Sequence, residues 1–146
     1  LRSGFVAGDA EILRAFLQYR TYHGCALPIH HQLGSIAAWN DEEHVKANRQ
    51  QYREKFSAVL AEFAGHLPVT APEAGFYLWP RTPLSDTEFA RQLYAGENVI
   101  VLPGRFLARE AGGINPGENR VRMALVASKE HCVEAAQRIV HRLSLL

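Results

Sequence analysis

The strongest pattern in the chain is an apolar stripe at helical spacing. Val45, Tyr52, Phe56, Val59, Leu60 and Phe63 recur through an otherwise polar stretch and predict a long amphipathic helix ending near Gly65. Asn40 and Glu43, three residues apart ahead of the stripe, predict a capping box at its start. Upstream, Asp9 is placed to cap a helix whose Ile12, Leu13, Phe16 and Leu17 share one face, and Gly24 and Pro28 close it. A second helix, rich in small residues, runs over "HHQLGSIAAW" and ends at Asn40. The opening "RSGFVAGD" is short, carries glycines at both ends and reads as β-like.

After Gly65 the texture changes. "PVTAPEAGFYLWP" predicts a strand pair or an irregular extended segment, and Ser85 with Glu88 predicts a second capping box before a helix through "FARQLYA". "NVIVLPG" reads as a buried strand ending in a turn, and "AREAGGINPGEN" as a loop. "RVRMALVA" alternates, with Val121, Met123 and Leu125 on one face and Arg120, Arg122 and Ala124 on the other. A last helix, capped at Ser128, turns Val133, Ala136, Ile139, Val140 and Leu143 inward. Three regions follow: residues 1–40 as the end of a larger domain, 41–64 as a long connecting helix, and 65–146 as a compact α+β unit. No internal repeat is present.

Composition narrows the class. With 146 residues, 47% of them hydrophobic and 21% charged, the chain has the make-up of an ordinary globular protein with one sizeable core. A net charge of +1, with basic residues scattered and not striped, argues against a nucleic-acid partner. No apolar run is long enough to span a bilayer and no signal-peptide pattern appears, so no membrane partner is expected. Cys25 and Cys132 lie far apart and outside any C-x-x-C arrangement, which fits a reducing, cytoplasmic setting. The chain starts without Met on an apolar stretch, and the expectation is a fragment of a longer protein.

Candidate chemistry is sparse. The seven histidines show no metal-ligand spacing, so no metal site is predicted, and neither a G-x-S-x-G elbow nor a P-loop occurs. Arg122 stands out as a guanidinium in mid-strand between Val121 and Met123. It must reach solvent or pair with an anion, because an unpartnered buried charge is very costly. Two readings stay open: a salt bridge to an acidic neighbour on an exposed face, or a forked carboxylate clamp in a cleft.

Four segments, in order, resemble one family. "LRSGFVAG" is similar to the family segment S-K-x-x-x-x-x-G-x-R-x-G entered just before its arginine. "PEAGFYLWP" resembles its G-x-F-Y-L-W strand, "VIVLPGRF" its V-x-P-G-x-x-F turn, and "NRVRMALVA" the strand carrying its carboxylate-binding arginine. On these the chain resembles the C-terminal part of a fold-type-I, class I/II aminotransferase dependent on pyridoxal 5'-phosphate. "YRTYHGCALP", "AAWNDEEHV" and "VLPGRFLARE" look most like the N-succinyldiaminopimelate aminotransferase branch, of bacterial lysine biosynthesis.

The resemblance implies an α/β protein whose smaller α+β domain packs helices on a small, mainly antiparallel sheet. It implies amino-acid and 2-oxo-acid substrates and a homodimer. It makes residues 1–40 the end of the large cofactor-binding domain. Arg2 matches the arginine that binds the cofactor phosphate, and Arg122 the one that grips the substrate α-carboxylate. Tyr22 and His23 fall in a loop that often reaches the partner's active site. Arg105, beside a family turn, is a candidate for a distal substrate carboxylate, with a surface salt bridge as the alternative. The family's Schiff-base lysine would lie upstream of Leu1, and none of Lys46, Lys55 or Lys129 has its S-K context. No catalytic residue is therefore assigned, and the chain alone is expected to be inactive. The alternatives are another class I/II enzyme (alanine, aspartate or LL-diaminopimelate type) and a non-catalytic carboxylate-binding α+β domain.

Overall fold

The computed structural model describes residues 2–146; Leu1, the first residue of the β-like opening, lies outside them. The chain forms two compact units that divide at Ala47 and Asn48, within the long helix. The boundary is thus inside the element that the sequence pattern sets apart as a connector.

The first unit holds helix α1 (Ala10–His23), helix α2 (Ile29–Trp39) and the first turn of helix α3 (Glu42–Phe63). Asp9 caps α1 as its spacing predicts: Oδ1 accepts the amides of Glu11 at 2.9 Å and Ile12 at 3.1 Å. The opening segment is not a strand. A strand needs a ladder partner, and among the described residues none in this unit pairs with residues 2–9. The cap of α3 also differs from expectation. Asn40, at φ −88° and ψ −5°, is still helical and closes α2 by donating its amide to Ile36 O. Asp41 takes the capping role, its Oδ1 accepting from Glu43 N at 3.1 Å and His44 N at 3.3 Å. No residue of α1 or α2 is buried, and Ile12, Leu17, Ile29 and Trp39 are each more than 60% exposed. Asp9 caps α1, Pro28 gives α2 no side-chain cap, and neither helix has a core.

The second unit carries the core. It contains the rest of α3, strand β1 (Tyr77–Leu78), helix α4 (Asp86–Glu97), strand β2 (Leu102–Pro103), a 3₁₀ turn at Gly104–Phe106, strand β3 (Val121–Ala124) and helix α5 (Lys129–Leu143). The sheet is antiparallel in the order β1-β3-β2, so the last strand in sequence is the central one. Its register sets Leu78 opposite Met123, Tyr77 opposite Ala124, Leu102 opposite Arg122 and Pro103 opposite Val121. The two outer strands are shorter than their apolar runs, because Pro68, Pro72, Pro80 and Pro103 have no N–H for a ladder.

Alternation along β3 sends Val121 and Met123 into a core shared with Val59 and Phe63 of α3, Phe89 and Leu93 of α4, and Ala136 and Ile139 of α5. Each large apolar side chain taken fully from water there contributes about 1.5–3 kcal/mol. Of the predicted stripes, Val59, Phe63, Ala136 and Ile139 are buried and Tyr52, Phe56, Leu60, Val140 and Leu143 are partly covered at the margin, whereas Val45 and Val133 stay outside the core and Cys132 is buried in it. Ser128 Oγ accepts from His131 N at 3.3 Å, and Ser85 Oγ from Glu88 N at 3.4 Å. Only half of the second capping box forms, since the Glu88 carboxylate accepts from Arg91 and Gln92 instead. The result is the expected class: helices packed on a small antiparallel sheet. No helix among the described residues is long and apolar enough to cross a membrane.

Candidate functional site

The same alternation that buries Val121 and Met123 points Arg122 to the other face of the sheet. Two aromatic rings flank it there. The guanidinium carbon stands 5.0 Å from the centre of the Tyr77 ring and 5.5 Å from that of Phe76. The two rings meet nearly at right angles, at 86°. A guanidinium over aromatic faces is held by their quadrupoles and by contact, without its N–H groups being used. Arg122 Nε is buried and has no hydrogen-bond partner, and among the described residues no carboxylate pairs with the side chain. The salt-bridge reading of Arg122 is therefore not what the structure holds. An orphaned, partly desolvated guanidinium fork matches a bound carboxylate in charge and shape.

Sequence reasoning missed Phe76 and Tyr77 as parts of this site. The "GFYLW" run shows aromatics, but only the register shows which strand they face: Tyr77 opposite Ala124 lies two residues along β3 from Arg122. A strand reading has no access to that pairing.

Arg105 is engaged within the protein. Its Nε donates to Asp86 Oδ1 at 2.7 Å and its amide to Asp86 Oδ2 at 3.0 Å, while Nη2 lies 3.7 Å from Glu118 Oε1. Asp86 has no exposed surface. Burial alone pushes its carboxyl up, but the Arg105 amide, guanidinium hydrogen bond and charge together outweigh this and hold it below 3.8. No sequence signal marked Asp86, because its partner lies 19 residues on.

Arg2 and Tyr22 belong to the first unit. Arg2 is exposed, and among the described residues it makes no ion pair. Tyr22 is 79% exposed near the end of α1, where Tyr19 and His23 stack at 4.5 Å. The structure thus divides the four candidates, two in each unit.

The three lysines bond within the fold or lie at its surface. Lys46 Nζ donates to Glu43 at 2.8 Å, Lys55 Nζ to Leu125 O at 3.2 Å beneath the Tyr52 ring, and Lys129 is exposed at the start of α5. Cys132 adds no nucleophile: it is buried, and burial pushes its thiol up.

Residues 1–139 match the family aminotransferase class I and II. The fold matches a solved aminotransferase from Neisseria meningitidis with a TM-score of 0.84 and 53% identity, over 97% of this chain and 36% of that one. A probable N-succinyldiaminopimelate aminotransferase from Thermus thermophilus shares 35% identity at a TM-score of 0.59, over 74% of this chain and 28% of its own. A probable aminotransferase of Mycobacterium tuberculosis is 31% identical over 139 residues, which are 94% of this chain and 32% of that protein. The chain spans about a third of the length of these relatives.

Proposed function

Because this chain belongs to the aminotransferase class I and II family, we propose that it supplies the carboxylate-gripping domain of an aminotransferase acting on amino acids and 2-oxo acids. The family depends on pyridoxal 5'-phosphate, which when bound supplies the aldehyde that takes up the amino group and the ring that stabilises charge. In this reading Arg122 holds the substrate α-carboxylate in a forked pair and so fixes which bond of the substrate faces the reaction. Arg2 holds the cofactor phosphate, and Tyr22 meets the substrate of the partner subunit in a cytoplasmic homodimer. Arg105 acts from within the fold, given its bond to Asp86. The observation that carries the reading is the buried, unpartnered Nε of Arg122 beside Phe76 and Tyr77.

For the substrate we propose N-succinyldiaminopimelate, with 2-oxoglutarate as amino acceptor. The likeness to the Thermus thermophilus protein supports this, together with "YRTYHGCALP" and "VLPGRFLARE". In this reading none of Lys46, Lys55 and Lys129 anchors the cofactor, and the isolated 146 residues are expected to be inactive.

The test uses the full-length polypeptide and this chain side by side, with N-succinyl-LL-diaminopimelate, LL-diaminopimelate, alanine and aspartate as donors. The full-length protein is expected to favour the succinylated donor in kcat/KM by at least about tenfold, or 1.4 kcal/mol. An equal or higher value on another donor overturns the substrate. Measurable turnover by this chain alone overturns its inactivity.

A further inference from the structure

We propose that Asp86 is a positioning residue for the Arg122 carboxylate grip, a role that rests on the reading of Arg122 given above.

Asp86 is the first residue of α4 and is fully buried. A carboxylate in that setting persists only when its oxygens are bonded. Both oxygens take hydrogens from one residue, Oδ2 from the Arg105 amide at 3.0 Å and Oδ1 from its Nε at 2.7 Å. Backbone and side chain of the central residue of the 3₁₀ turn are therefore fixed together.

That turn follows β2 directly. Gly104 N donates to Arg120 O at 2.7 Å, which carries the β2–β3 ladder one bond further. β2 itself is only two residues long, and Pro103 has no N–H to give. So short an edge strand has little register of its own. The clamp at Asp86 holds the end that its own ladder cannot.

The consequence reaches Arg122 through Leu102, its cross-strand partner. Directly opposite residues of an antiparallel pair share a face with Cβ atoms about 4.5–5.5 Å apart. Arg122 thus stands between Leu102 on β2 and the Phe76–Tyr77 rings on the β1 side. Freeing the turn loosens β2, moves Leu102 and widens the slot in which the guanidinium is held. The β1 side is untouched, so the carboxylate grip weakens but is not lost.

The test reads the Arg122 Nε–H signal by NMR in the full 146-residue chain, assigned with Arg122→Lys, while 2-oxoglutarate is added. In Asp86→Asn the apparent dissociation constant is expected to rise about tenfold, the factor that corresponds to 1.4 kcal/mol. Val59→Ala, which destabilises the core from α3 and leaves both Asp86–Arg105 bonds in place, separates positioning from general loosening; its affinity stays within about twofold of the parent. Equal affinity in Asp86→Asn and the parent overturns the inference, as does an equal loss in Val59→Ala. If Asp86→Asn does not fold, Arg105→Met keeps the amide bond to Asp86, and a loss of about threefold is expected because one of the two bonds remains. Unchanged affinity there overturns the inference. A parent chain whose Arg122 signal ignores 2-oxoglutarate overturns the Arg122 reading itself, and this inference falls with it.

Discussion

Gly104 and Gly117 pack backbone against backbone, each facing the other's carbonyl oxygen so closely that neither position has room for a Cβ. Asn115 secures the contact, its Oδ1 accepting from Gly117 N at 2.9 Å. The crossing presses the turn after β2 onto the loop that leads into β3. Gly104→Ala is expected to destabilise the second unit by about 1–3 kcal/mol, the usual cost of overpacking a close contact. Gly4→Ala, where a Cβ meets nothing within 4 Å, should stay within about 0.5 kcal/mol of the parent. Urea unfolding of both variants checks the pair; equal stability of Gly104→Ala and the parent would refute the tight crossing.

Acid should weaken the fold at Asp86. Its carboxyl sits below 3.8 when folded, so the unfolded chain takes up a proton first as the pH falls. The Asp86 contribution is complete well above pH 3.8 and is lost as the pH falls through the lower folded value. At pH 7, Asp86→Asn is expected to cost about 2–3 kcal/mol, since it leaves the Arg105 bonds incomplete around a buried amide. The gap between variant and parent should narrow as the pH drops below about 4. Thermal unfolding between pH 3 and 7 measures it, and a gap that stays constant across that range would argue against the pair.

Local signals in the chain mark most of the helix starts, although the cap of α3 falls on Asp41 and not on Asn40. Asp9, Ser85 and Ser128 cap the helices that their spacing marks, because a cap is decided within four residues. The alternation of Val121, Arg122 and Met123 predicts both the buried face and the outward arginine. What escapes is whatever depends on distant neighbours. The opening β-like segment lacks a ladder partner among the described residues of its unit, and no short-range pattern reports that. Asp86 reads as an ordinary first-turn acid until the chain returns 19 residues later with Arg105. Phe76 and Tyr77 become part of the Arg122 site only through the register of β1 on β3.

The two units should differ in stability. The first buries none of α1 or α2, whereas α3, α4, α5 and β3 enclose a shared core in the second. Helices of 14 and 11 residues without packed faces are marginal in water. Amides of α1 and α2 are expected to exchange with solvent orders of magnitude faster than those of β3 and α5. Hydrogen exchange read by NMR on the isolated chain checks this. Comparable protection in α1 and β3 would mean that the first unit has found a partner surface.

The Arg122 site sets function against stability. A partly desolvated guanidinium with an orphaned Nε costs free energy that aromatic contact only partly returns. Arg122→Met keeps the unbranched stem and its contact with Phe76 and Tyr77 while removing the unpaired charge. The variant is therefore expected to match or exceed the parent by up to about 1 kcal/mol, as happens when a buried ionic group yields to an apolar one of similar volume. Binding of 2-oxoglutarate should be lost in the same protein, because Arg122 is the guanidinium held beside Phe76 and Tyr77. Urea unfolding and the 2-oxoglutarate titration, run on one preparation, give both numbers. A clear loss of stability in Arg122→Met would show that the arginine is held for the fold, and a retained titration would show that the carboxylate binds elsewhere.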